Sequence, residues 1–580
     1  MLENHRKDTG YRTTTMNHVS CIINRVFWIL VFGFFLAACS KEEAVNYNEC
    51  LNCHKGIERI KAHHFDCKDC HIKEKVPFLK AHDLIIRNPS SPIYVNIFCR
   101  KCHEEEIKNV NNSLHATMAG IINQTRYLWG AQTSAFPPVY SVNSALKTLP
   151  EPIDFPKTPK DLVDDFLRKK CLRCHIGVAG FPKRGLYRAS GCAACHVIYN
   201  NEGRYLGNDV AIDKNKKGYP QYHSFTRKIP NFQCLHCHNS NHVGADYEGL
   251  FEHDYDEAYR SPTCPLTPER SDSRRVPPNI IYGMDYHYLA KDIHAEKGLW
   301  CTDCHSKKDV MGDGKSYGYE LAVPMIKCSD CHGGFLRQRP NKLLSNIAYK
   351  SGKFYFSSKN GNLYELKTFS KDIISHSISN HKKLRCSACH AQWSFQGYGL
   401  SVMREDAPNY KKWKRLRLQG DPYLENFFKN PERPFSLDLL NGKTKRGIWF
   451  LGWRFRRWEF MPLGIENEKY TILRPRYQYF VSYIDEKGGI ILDSKKTHWA
   501  FMPYVPHTIS PFGRNCEACH LNPVAAGLGI FKEKSVDTEL TLPAPPCLPK
   551  MRLLTKEEQK KLLTPTESYR VMRFLSLTTK

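Results

Sequence analysis

The 580-residue sequence predicts a fold built mainly of short α-helices and loops, with a small β-containing subdomain toward its C-terminal end. Two properties predict the helical and loop-rich part. Hydrophobic residues make up only 41% of the chain, and long runs with the 3.6-residue apolar period of a core-facing helix are scarce. Twenty of the 24 cysteines fall into ten Cys-x-x-Cys pairs, each followed at once by histidine, so one short element punctuates the chain throughout. A third property predicts the strands. KFYFSSKNGNLYEL at 353–366 and RYQYFVSYIDEKGGIILD at 476–493 place apolar residues on both sides of an Asn-Gly or Gly-Gly turn.

The repeated element begins with Cys50, Cys53 and His54, then Cys67, Cys70 and His71, then Cys99, Cys102 and His103. The next three copies are Cys171, Cys174 and His175; Cys192, Cys195 and His196; and Cys234, Cys237 and His238. Three more follow at Cys301, Cys304 and His305; Cys328, Cys331 and His332; and Cys386, Cys389 and His390. The tenth, Cys516, Cys519 and His520, stands apart. A Cys-x-x-Cys pair suits a thioredoxin-like couple, a zinc site or covalent haem attachment, and only the last demands the histidine. Histidine is 26 of 580 residues, so by chance it would follow a given pair roughly one time in twenty, yet it follows ten of ten. On a helical turn the two sulfurs and the imidazole project to one side, so the thiols would capture the haem vinyl groups while the ring nitrogen reaches iron. The twenty cysteines are therefore read as binding about ten haem c groups covalently, the ten motif histidines as their proximal metal ligands, and the short helices and loops as wrapped around those haems.

The spacing groups the motifs as three, three, three and one. Residues 1–38 are read as a lipoprotein-type signal peptide, 39–130 as haems 1–3, 131–165 as a linker, and 166–260 as haems 4–6. Residues 261–280 are read as a second linker and 281–390 as haems 7–9. Then come a haemless aromatic and basic region with strands at 391–515, haem 10 at 516–530 and a polar, lysine-rich tail at 531–580, expected to lie on the surface or to be disordered.

The sixth position on each iron separates a wire from an enzyme, since a second histidine closes the metal and an open position admits substrate. Fourteen histidines lie outside both the motifs and the signal region. His294, seven residues before Cys301, is the strongest candidate for the sixth position, followed by His64, His82, His115, His223, His242, His287, His381 and His507. Sequence does not say which distal ring serves which iron. An open haem is expected, if anywhere, at the isolated tenth motif.

The apolar run from Val26 to Ala38 follows Arg25, is too short to span a bilayer comfortably and ends in Leu36-Ala37-Ala38-Cys39, which resembles a bacterial lipobox. The expectation is an exported protein, periplasm-facing or on the outer membrane, held to a membrane surface through lipidated Cys39; an uncleaved anchor is the alternative. Without residues 1–38 the formal charge is +25. Such a balance raises nucleic acid as a partner, but each oxidised haem with ionised propionates carries about one negative charge, so ten offset much of the excess. Nucleic acid is therefore not expected; the remaining charge favours acidic redox proteins, a membrane face or a small inorganic anion as substrate.

Other signals weaken on inspection. MGDGKS at 311–316 would need glycine where Asp309 stands to form a phosphate loop, and reads as a turn. In GIWFLGWRFRRWEF, Arg454, Arg456 and Arg457 read as neighbours of propionates rather than as a nucleic-acid surface. Cys264 and Cys547 are left over from the motifs and support a disulfide only as a guess.

With ten such motifs, a lipobox-like Cys39 and spare histidines, the chain resembles the decahaem members of the multihaem c-type cytochromes of bacterial respiratory and extracellular electron transfer. The resemblance spans residues 50–520 and rests on the motifs. It implies electron transfer through bis-histidine haems at low potential, with redox proteins as partners. The nine-plus-one layout departs from porin-embedded and outer-surface decahaem cytochromes, which puts direct metal reduction in doubt. The competing reading is an oxidoreductase for a small nitrogen or sulfur compound, similar to octahaem hydroxylamine-oxidising or tetrathionate-reducing enzymes. No motif ends in lysine as in pentahaem nitrite reductases. A haem store or filament subunit is the third.

Overall fold

A computed structural model describes residues 50–60, 63, 65–73, 81–240, 243–252, 282, 286–288, 290–336, 339–341, 344–393, 395–407, 435–458, 461–476, 478–528, 550–563, 570, 571 and 574. The expected signal peptide with Cys39, the linker at 261–280, and His64, His242, Cys264 and Cys547 lie outside these residues. The architecture is mixed helix and sheet, with several small sheets. The chain divides into two units, residues 1–53 with 65–87, and 54–64 with 88–580. In the first unit, short helices run over Cys50–Cys53, Cys67–His71 and Ala81–Leu84. Asp66 and Asp69 cap the second of these reciprocally.

The larger unit opens with the helices Arg100–Asn112 and Ala119–Leu128. A third, Pro159–Phe166, shows why it starts where it does: Thr158 and Asp161 form a capping box and proline occupies the first turn, where its missing N–H costs nothing. Its apolar face, Leu162, Val163 and Phe166, is fully buried. The stretch 131–165, expected as a linker, thus delivers Leu149, Leu162 and Val163 to the main core. Its prolines suggested loop, and the apolar residues between them were too few to show a period.

Two four-stranded sheets dominate the region expected to hold a small β-subdomain. In the first, the order is Ile448–Trp458, Phe395–Glu405, Gln478–Ile484 and Ile490–Lys496. Its central pair is parallel, with Gln478 opposite Gly399. Strand Gln478–Ile484 is buried along its whole length, as a central strand covered on both faces should be. One face packs on the helices at 119–128 and 159–166 through Trp449, Val402 and Val481. The second sheet runs Phe501–Tyr504, Lys469–Pro475, Leu463–Glu466 and Met551–Leu553, all antiparallel. Its last strand comes from the polar tail, where Met551 and Leu554 reach the second core. That tail contribution was hidden because three residues carry no readable alternation.

Both hairpins appear as read. Lys353–Ser357 pairs with Leu363–Glu365 across Asn360-Gly361, where Gly361 takes φ +95°, and Gln478–Ile484 pairs with Ile490–Lys496. MGDGKS is a turn, and a Cβ on Gly312 would meet the Asn109 carbonyl at 2.5 Å. The side chains of Arg454, Arg456 and Arg457 lie outside the described residues.

Candidate functional site

The ten motifs sit on short turns that neighbouring elements hold in place. Nine begin, contain or adjoin an α-helix, such as Cys301–Cys304, Cys328–His332 and Cys386–His390. The motif at Cys386 docks on the second sheet, with the Arg385 amide donating to the Tyr470 carbonyl at 3.0 Å and its side chain pairing with Glu466. The tenth is held by the tail helix Lys556–Leu563, whose Leu562 carbonyl lies 2.8 Å from His520 Nδ1. The fourth differs: helix Pro159–Phe166 runs into a π turn, Leu167–Cys171, and then a 3₁₀ turn, Leu172–Cys174. A buried ionic network fixes that helix to the first sheet. Asp165 accepts from Lys169 at 2.8 Å and from the Trp449 indole at 2.8 Å, and Arg404 spans to both oxygens of Asp406.

Among the described residues, six motif histidines face a histidine from outside the motifs. His103 faces His63 with ring centroids 6.1 Å apart, His238 faces His115 at 5.9 Å, and His305 faces His507 at 6.2 Å. His332 faces His294 at 6.1 Å, His390 faces His376 at 6.2 Å, and His520 faces His381 at 6.4 Å. An imidazole nitrogen lies roughly 1 Å from its ring centre and a metal–nitrogen bond is about 2 Å, so two rings bound across one metal have centroids about 6 Å apart. Edge contacts between aromatic rings also fall in this range. Yet each of these six contacts joins a motif histidine to a non-motif histidine, although phenylalanine and tyrosine number 30 each against 26 histidines.

The far nitrogens support the same geometry. Nδ1 lies 2.8 Å from the Ile86 carbonyl in His71, 2.8 Å from Thr226 O in His196, 3.1 Å from Val243 O in His238 and 2.7 Å from Lys367 O in His332. Carboxylates serve His54 and His305, through Asp209 at 2.7 Å and Asp309 at 2.5 Å. Four of the distal rings match: His115 uses Val310 O, His294 uses Asp292, His376 uses Ser370 O and His381 uses Ser375 O, at 2.8–3.1 Å, whereas His507 Nδ1 is buried without a hydrogen-bond partner. An oxygen beside Nδ1 keeps the proton there and leaves Nε2 as a lone pair, the arrangement typical of metal-bound histidine. Burial pushes His238 and His507 down to about 4, and holds His115, His332, His381 and His390 below the usual histidine range, so these rings are neutral at pH 7.

His175 reverses the pattern. Its Nδ1 accepts a hydrogen bond from the Gly177 amide at 2.9 Å, and its Nε2 is buried without a hydrogen-bond partner. His236, inside the sixth motif, has both nitrogens against carbonyls, Gly185 O at 2.6 Å and Tyr199 O at 3.0 Å, and is engaged structurally.

None of the twenty motif cysteines is in a disulfide. Thiols of different motifs lie together in the larger unit. Cys174 and Cys237 are close enough to hydrogen-bond, as are Cys234 and Cys301, and Cys328 and Cys386. Cys195 is an electrostatic neighbour of Cys234, Cys304 of Cys331, and Cys389 of Cys519. Motifs four and five each neighbour the sixth, and from the sixth the neighbours run in chain order to the tenth. Among the described residues no three His, Cys, Asp or Glu side chains converge as a bare-ion site would require; the donors come as opposed ring pairs with thiols beside them.

Comparison with family models, curated proteins and solved structures finds no match.

Of the distal candidates read from sequence, His115, His294, His381 and His507 face motif rings. His294 faces the ring of the eighth motif, His332, although it precedes the seventh in sequence. The tenth motif, expected as the open one, holds a histidine pair. His223 sets its Nδ1 2.9 Å from Glu58 O. His82 is exposed in helix Ala81–Leu84, and His287 lies in strand Tyr286–Tyr288, in register with Phe251. His63 and His376 were not among the favoured candidates; nothing in their spacing distinguishes them, and only tertiary contact reveals their role.

Proposed function

We propose that the chain is a multihaem c-type cytochrome that moves single electrons among haems attached at its ten motifs. The observation that carries this reading is the set of six opposed histidine pairs with centroids 5.9–6.4 Å apart, each joining one motif ring to one non-motif ring. Haem bound there would supply one-electron chemistry. The chain's own residues do the rest. The motif cysteines would anchor the group, the paired histidines would ligate its iron, and the carbonyls on Nδ1 would hold the rings in orientation. The close succession of thiols from the fourth to the tenth motif supports transfer along a path, because tunnelling falls steeply with distance.

Export, lipid attachment at Cys39 and redox-protein partners belong to the same proposal, supported by the sequence. Among the described residues no helix is long and apolar enough to cross a membrane. An oxidoreductase acting on a small inorganic anion is the second reading. It is favoured by one observation: His175, in a motif with π and 3₁₀ backbone, whose Nδ1 faces a donor instead of an acceptor.

Alkaline pyridine spectra of the mature protein should give about ten haems per chain, and low-temperature paramagnetic resonance should give mainly low-spin ferric signals. Far fewer haems would overturn the proposal. A high-spin signal that shifts with nitrite, hydroxylamine or sulfite and disappears in His175→Ala would favour the second reading.

A further inference from the structure

Five of the six buried cations among the described residues are paired with carboxylates. Arg126 meets Asp164, Arg168 meets Asp438 at 2.9 Å, Lys169 meets Asp165 at 2.8 Å, Arg404 meets Asp406 at 2.8 Å and Arg474 meets Glu320 at 3.6 Å. Arg188 is the exception. It is only 6% exposed, as buried as Arg126 and Arg474. Yet its guanidinium donates solely to backbone carbonyls, those of Arg173 at 2.9 Å, Ala189 at 3.3 Å and Val178. Carbonyls satisfy N–H groups but do not cancel a charge, and a buried cation without a counter-charge is strongly destabilising.

Its position suggests what the counter-charge is. The Arg173 carbonyl belongs to the fourth motif, between Cys171 and Cys174. The guanidinium also lies within electrostatic reach of Cys174, Cys195 and Cys237, one thiol from each of the fourth, fifth and sixth motifs. Three of its five N–H groups are engaged by the carbonyls. The two that remain match one carboxylate.

We propose that Arg188 is the counter-ion for a haem propionate where motifs four, five and six meet, and that it makes the haem it pairs with the highest-potential centre of the chain. The inference rests on the haem reading above. Reduction adds negative charge to a haem, so a fixed cation in a poorly screened interior stabilises the reduced form. Electrons entering the array would therefore settle first at this junction rather than spread evenly along the series.

Spectroelectrochemical titration of the fully loaded protein and its Arg188→Gln and Arg188→Lys variants tests this. In Arg188→Gln the highest-potential component should become harder to reduce by at least tenfold in its equilibrium constant, about 59 mV for one electron. Arg188→Lys should retain most of the wild-type potential. Unchanged potentials in Arg188→Gln at full haem content would overturn the inference and leave the haem reading standing, whereas a wild-type protein with few haems would overturn that reading itself. Should Arg188→Gln load poorly, the wild type decides. Its redox-difference infrared spectrum, with arginine labelled at the guanidino carbon, must contain an arginine band that follows the highest-potential step. Absence of that band overturns the assignment.

Discussion

Between Phe395 and Tyr504 the described strands bury apolar side chains against one another, whereas beside some of the motifs large apolar side chains stand exposed, although Leu172, Leu235 and Ala388 within motifs are buried. Val402, Trp449, Val481 and Ile472 are fully buried in the sheets. Beside the motifs, Leu336, four residues past His332, is 97% exposed, and Phe512, four residues before Cys516, is 79% exposed. The first sheet and the helices at 119–128 and 159–166 packed on it form one polypeptide core. The motif region has thiols and rings in register but too little apolar contact of its own, and on the proposed reading the porphyrin planes complete it. Cofactor and hydrophobic core thus exchange roles along one chain.

The comparison breaks most completely if the thiols are removed. With serine at all twenty motif cysteines, hydrogen exchange should show the motif segments unprotected while Phe395–Glu405 and Gln478–Ile484 stay protected; equal protection in both would end the distinction. Next, Trp449→Ala should cost about 3–5 kcal/mol in denaturant unfolding and leave the haem count unchanged, since its ring belongs to the sheet core. A comparable loss, about 3–5 kcal/mol at most, is expected from Asp165→Asn, which strands Lys169 as a buried cation. His376→Ala should leave stability nearly unaltered but convert one low-spin haem to high spin, visible by paramagnetic resonance. If no spin state changes, the pairing with His390 is not axial. The smallest effect should come from Arg552→Ala, whose partner Glu558 is on the surface, with less than about 1 kcal/mol on thermal unfolding.

The positions of the motif turns were legible in the sequence because five residues mark each one, and the hairpins at 353–366 and 476–493 were legible because turn and alternation lie together. What depends on distant contact was not. His294 sits next to Cys301 in sequence but faces His332, and His376 and His381 divide between His390 and His520. The same holds for the core. Leu149 and Leu162 look like loop residues among prolines until helices and sheet close over them. Met551 joins a strand order that no local pattern encodes.

The placement of the sulfurs has a consequence for how the protein is made. Cys174 rests beside Cys237, Cys234 beside Cys301, and Cys328 beside Cys386. In an oxidising compartment, unoccupied sulfurs that close are set to bridge one another, and a mispaired bridge would consume the attachment points of two motifs at once. On the proposed reading, compaction would come after haem attachment: each sulfur would be taken up while the chain is still open, so the finished geometry would impose an order on its own assembly.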